Sequence, residues 1–96
     1  MAKRYYVYIM TNKNQNVLYT GITNNLLRRT YEHRTEAIES FTKKYKLHSL
    51  VYFEIFNSAI EAIEREKQVK AMNRANKNEL ISSFNQDWTD LFNGLW

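Results

Sequence analysis

The chain has 96 residues, enough for one domain that buries roughly 60–65% of its unfolded surface around a modest core. Apolar residues make up 44% of it, which argues against disorder, and the absence of cysteine excludes disulfides and thiolate metal centres and fits a reducing compartment. The net charge of +4 suits a polyanionic partner; no apolar run behind Met1-Ala2-Lys3-Arg4 is long enough for a signal peptide or membrane span, so a cytoplasmic protein with no membrane partner is expected.

Arg4 to Thr11, RYYVYIMT, reads as a first strand with Tyr6 and Tyr8 on one face and Tyr5, Val7 and Ile9 on the other. Asn12 to Asn16 is a polar turn suited to a hairpin, and Val17 to Thr23, rich in β-branched and aromatic residues, returns antiparallel. A register in which paired residue numbers sum to 27 sets Tyr8 opposite Tyr19 on a shared face, whereas a slip of one residue parts them. Gly21 interrupts the second strand in a chain whose only other glycine is Gly94, and a glycine there marks a bulge or a close approach to the backbone.

Asn24 or Asn25 caps a helix expected from about Asn25 to about Ser40, with Leu26, Leu27, Thr30 and Tyr31 on its less polar side. Arg29 and His33, four apart, share a face of it. On spacing alone, a hairpin strand leading into an ordinary surface helix is the preferred account. Phe41 to Ser49, FTKKYKLHS, reads as a loop that interleaves Lys43, Lys44 and Lys46 with Phe41, Tyr45 and His48. Such mixtures contact phosphates and stack on bases, and they are also common in solvated loops; His48 reads as structural or incidental.

Leu50 to Phe56, LVYFEIF, is nearly continuously apolar and is expected to be a central strand covered on both faces. A capping box at Ser58 to Glu61 starts a helix to about Met72, with Ala59, Ala62, Ile63, Val69 and Met72 as its apolar stripe. Glu66 falls inside that stripe, where a carboxylate is costly unless it binds a metal or pairs with a cation such as Arg29. Asn73 or Asn76 caps a last helix through Ser83 that packs Leu80, Ile81 and Phe84 inward, and the tail from Asp87 to Trp96 is expected to dock as a final turn.

Taken together these residues resemble the GIY-YIG nucleases. The first motif looks like Tyr6-Val7-Tyr8 and the second like Tyr19-Thr20-Gly21. The family arginine falls on Arg29, the histidine on His33, the metal-binding glutamate on Glu66 and a later asparagine on Asn78. The likeness runs from about Arg4 to Ile81 and is nearest to small single-domain members similar to the nuclease module of the excision-repair endonuclease; Tyr6 departs from the glycine of the first motif.

The resemblance implies an α/β (α+β) domain with a small three-stranded antiparallel sheet flanked by helices, its core at about 4–84 and a docking tail at 85–96. It implies a metal-dependent endonuclease acting on DNA, with structure-specific, repair-related cleavage as the narrower expectation. Glu66 would hold one Mg²⁺ or Mn²⁺, a hard cation content with one carboxylate, waters and phosphate. Arg29 would contact the scissile phosphate, Tyr19 or Tyr8 would take the proton from water, and His33 would position that water or assist proton transfer. Tyr19, beside Gly21, is the favoured base. Gly21, Arg28, Lys43, Lys44, Lys46 and Asn78 would contact the nucleic acid, with selectivity left to nucleic-acid shape or a protein partner. The residues do not separate DNA from RNA. The alternatives are a non-catalytic nucleic-acid-binding module that kept the fold and an interaction domain without nucleic acid.

Overall fold

The structure, a computed structural model, describes residues 3–37 and 41–95; the helical extension expected over Ile38, Glu39 and Ser40 lies outside the described residues, as do Met1, Ala2, Trp96 and the side chains of Phe41 and Thr42. Strands β1 (Tyr5–Thr11), β2 (Leu18–Thr23) and β3 (Ser49–Phe56) form an antiparallel sheet in the order β2-β1-β3. Helices α1 (Leu26–Arg34), α2 (Phe41–Lys44), α3 (Ala59–Ala71) and α4 (Arg74–Phe84) flank it, and a 3-10 helix at Leu91–Leu95 closes the described chain. This is the three-stranded α+β architecture expected from the sequence.

The sheet is covered on both faces. Val7 and Ile9 of β1 face a cluster built with Ala62 and Val69 of α3 and Ile81 of α4. Tyr8 and Met10, pointing the other way, pack with Leu26 of α1, Leu47, Leu50 and the tail residues Leu91 and Leu95.

Strand order corrects one expectation. β1 is the central strand and β3 an edge strand. The apolar run in β3 has another origin: a bulge at the Ile9/Met10 step, where Met10 pairs with Leu50 and Ile9 with Tyr52. Val51 and Tyr52 therefore both join the α3–α4 cluster, while Leu50 and Phe53 join the other. Continuity of apolar residues reports cover by two layers rather than position in the sheet, and Ile55, near the strand's end, is exposed.

The helices differ from expectation in detail. α1 is capped by Asn25, whose side chain accepts the Arg28 N–H, and its buried line is Leu26, Thr30 and His33 rather than the side carrying Tyr31, which is exposed. The spacing 26/30/33 keeps to one stripe of a 3.6-residue helix, with Thr30 Oγ1 donating to the Leu26 carbonyl at 2.8 Å. The segment expected to be a loop contains α2, and β3 already begins at Ser49. On α3, Ala62 and Val69 are buried but Ile63 is exposed. Arg65, read as outside the stripe, turns towards the sheet, where its Nε donates to Glu54 of β3 at 2.9 Å.

The tail binds the open side of the structure. Asn85 Nδ2 donates to the Val51 carbonyl at 3.0 Å, and Asp90 Oδ1 accepts the Leu50 and Phe92 N–H groups, each at 3.1 Å. Asp90 also pairs with Arg34, whose guanidinium lies 4.6 Å over the Phe92 ring. The tail thus fastens the C-terminal end of α1 to β3. Among the described residues no helix is long and apolar enough to cross a membrane.

Candidate active site

Tyr8 lies directly across from Gly21, and Tyr19 across from Met10, so the paired numbers sum to 29 rather than 27. The register is two residues from the one expected. A shift of two preserves side-chain parity, so Tyr8 and Tyr19 still share a face, now as diagonal neighbours with ring centroids 6.3 Å apart.

This register explains Gly21. A Cβ there would lie 2.5 Å from both Cζ and Oη of Tyr8. The close approach that the glycine permits is that of the Tyr8 ring, lying flat on the neighbouring strand; its φ is not positive, so space alone demands glycine. Gly21→Ala is expected to push the ring aside and destabilise the protein by about 1–3 kcal/mol, read by urea unfolding, with cleavage falling in parallel. Unchanged stability would show that the ring is not seated there.

α1 lays its buried line over the same face. His33 Nε2 is 3.0 Å from Tyr8 Oη, and the His33 ring is 5.7 Å from the rings of both Tyr8 and Tyr19. Arg29, one turn earlier, engages Tyr8 and lies 3.3 Å by its Nε from Glu32 Oε1. Among the described residues, His33 Nδ1 is buried without a hydrogen-bond partner, and Arg29 Nε, also buried, has only its ion pair with Glu32.

The electrostatics set the protonation states. Burial pushes the Tyr8 phenol up, Tyr19 adds to the rise, and Arg29 opposes it. Burial, reinforced by the Arg29 cation, pulls the His33 imidazole down to about 4, against the Glu32 carboxylate. At neutral pH the cluster therefore holds a phenol and a neutral imidazole beside one guanidinium. Tyr8 is 0% exposed, whereas Tyr19 is only half-buried, so Tyr19 is the phenol that meets solvent.

The depressed imidazole has a thermodynamic consequence. The unfolded chain takes up this proton near pH 6.5 and the folded one only near 4, so the unfolded state binds more protons between those values. Stability from this group is complete above about pH 6.5 and is lost as pH falls towards 4, by up to about 3 kcal/mol. His33→Gln is expected to flatten that part of the stability–pH curve, measured by urea unfolding at several pH values.

Glu66 comes from α3, whose Ala62 and Val69 pack against Val7 and Ile9; its side chain is 15% exposed, with Oε2 2.9 Å from Lys70 Nζ. Its ion-pair partner is Lys70, and Arg29 pairs with Glu32. No described contact joins Glu66 to Tyr8, Tyr19, Arg29 or His33, so the contacts unite four of the five candidate catalytic residues. Among the described residues no group of three or more His, Cys, Asp or Glu gathers as a metal site. A metal here would take one carboxylate, with phosphate and water completing its shell, a donor set that suits Mg²⁺ or Mn²⁺.

The expected nucleic-acid contacts are scattered. Arg28 is exposed on α1, and Lys43, Lys44 and Lys46 lie on and just after α2. Asn78 Oδ1 accepts from Arg74 Nε at 2.9 Å, and Arg74 donates to the Gln15 and Asn16 carbonyls at 2.7 and 3.1 Å, tying α4 to the hairpin turn. Two residues escaped the sequence reading. Glu32 was legible from its i,i+3 spacing to Arg29. Arg74 carried no sequence signal, because its partners are backbone atoms far along the chain.

A family model described as the GIY-YIG catalytic domain matches residues 4–79. A UPF0213 protein of Clostridium perfringens is 42% identical over 78 residues, covering 81% of this chain and 83% of that protein. Another, of Natronomonas pharaonis, is 35% identical over 82 residues, with 85% and 95% covered. The solution NMR structure of a UPF0213 protein from Bacillus halodurans matches with a TM-score of 0.53 at 33% identity, covering 82% of this chain and 83% of that one.

Proposed function

The chain belongs to the GIY-YIG family, and on that premise we propose that it is a divalent-metal-dependent endonuclease that hydrolyses phosphodiester bonds in DNA. The observation that carries this reading is the cluster of Tyr8, Tyr19, Arg29 and His33, with Tyr8 Oη 3.0 Å from His33 Nε2.

In the proposed reaction Arg29 binds the scissile phosphate, which replaces Glu32 as its counter-charge and meets the charge that develops on phosphorus-bound oxygen. Tyr19, half-buried, acts as the phenolate, its own proton having passed to solvent; it takes a proton from the attacking water as the water oxygen bonds to phosphorus, and the leaving oxygen departs as an alkoxide that is protonated from solvent. His33, neutral and held by Tyr8, orients that water or the phosphate through its unpartnered Nδ1. Tyr8 keeps its proton and acts as the positioning residue for His33. Glu66 would hold the Mg²⁺ or Mn²⁺, which supplies charge neutralisation at the phosphate.

The test is incubation of the protein with nicked, flapped, branched and plain DNA in Mg²⁺, in Mn²⁺ and in EDTA. Metal-dependent cleavage of at least one form is expected, with structure rather than sequence governing the choice. The non-catalytic binding module is favoured by one observation, the engagement of Glu66 by Lys70. Binding without turnover in either metal would establish that alternative.

A further inference from the structure

We propose that the cleft between the β1–β2 turn and the segment leading into β3 is a second contact site for the nucleic-acid strand, holding a phosphate and an adjacent base away from the scissile bond. The proposal rests on the endonuclease reading above.

The cleft has a volume of about 530 Å³ and is lined by Asn12, Lys13 and Asn14 from the turn and by Tyr45, Lys46 and His48 from the facing segment. No carboxylate is among its described lining residues. Glu36 reaches His48 from outside the lining, with Oε2 2.9 Å from Nε2, and fixes the ring. Tyr45 is 38% exposed, and the Lys44 ammonium stands 5.3 Å from its ring centroid. Two ammonium groups and the Asn14 amide offer donors to phosphate oxygens, while the Asn12 amide is engaged with Asn16 within the turn, and the phenol ring offers a face for a base. By contrast, the cleft beside Tyr6 and Phe53, of about 370 Å³, has no cation in its described lining.

Position links the cleft to the tyrosine cluster. Leu47, between Lys46 and His48, is buried in the cluster that contains Tyr8, so this segment lies on the Tyr8 face of the sheet. Asn12 follows β1 directly and stands four residues beyond Tyr8, a run of ~13 Å in an extended strand. A strand with its scissile phosphate at Arg29 thus meets the cleft a short way along its backbone.

The test uses the full chain in EDTA and a labelled DNA oligonucleotide, with anisotropy recorded over a salt series. Changing Lys13 and Lys46 together to glutamine is expected to flatten the slope of log K against log salt by about 0.7–0.9, the loss of one phosphate contact. Tyr45→Ala is expected to weaken binding about fivefold or more with the slope unchanged. If the wild-type chain binds and neither variant differs from it, the second site is refuted while the endonuclease reading stands. If the wild-type chain binds no DNA or RNA at any salt, both fall.

Discussion

Tyr19→Phe is expected to lower DNA cleavage at least ~100-fold while leaving folding and DNA binding intact. The change removes one hydroxyl from a half-buried ring and no packing. Tyr8→Phe tests the other phenol and has a different expected signature. Tyr8 is fully buried, its proton is held by desolvation, and its hydroxyl touches His33 rather than solvent. Removing that hydroxyl frees His33 Nε2, so the expected loss of cleavage is smaller, accompanied by an upward shift of the His33 titration as its surroundings loosen. Single-turnover cleavage by both variants, with the imidazole followed by NMR, separates the two roles. Normal cleavage by Tyr19→Phe together with inactive Tyr8→Phe would exchange the assignments.

Glu66→Gln is expected to abolish metal-dependent cleavage and metal binding together, with DNA binding retained and stability changed by less than about 1 kcal/mol. The stability expectation follows from the partner. Lys70 is 52% exposed, so the pair it makes with Glu66 is of the solvent-screened kind, and no buried cation is stranded when the charge goes. Had Arg29 been the partner, the same change would have cost several kcal/mol. Calorimetric titration with Mn²⁺, beside thermal unfolding with and without the ion, makes the measurement. A variant that binds Mn²⁺ and cleaves like the wild type would remove Glu66 from the metal site.

Much of the tyrosine cluster was legible in the sequence because it depends on local periodicity. Side chains alternate along a strand, so any even change of register leaves Tyr8 and Tyr19 on one face, and the cluster survived a register two residues from the one expected. Arg29 and His33 share a helix face through their spacing of four. Gly21 stood out as a position needing close approach, and that approach proved to be the Tyr8 ring.

What only the tertiary structure decided is non-local. Strand order was misread because an apolar run records cover on two faces, and the bulge opposite the Ile9/Met10 step supplies that cover at a sheet edge. Neither the partner of Glu66 nor that of Arg29 follows from stripe membership, since an ion pair forms with whichever opposite charge folding brings within reach, here Lys70 and Glu32. The burial of the two phenols is likewise tertiary. Identical side chains differ in exposure because the layer of α1 and the tail seals Tyr8 from water while Tyr19, on the edge strand of the same face, is only half-buried; burial is set by the whole assembled chain and by no residue's neighbours in sequence.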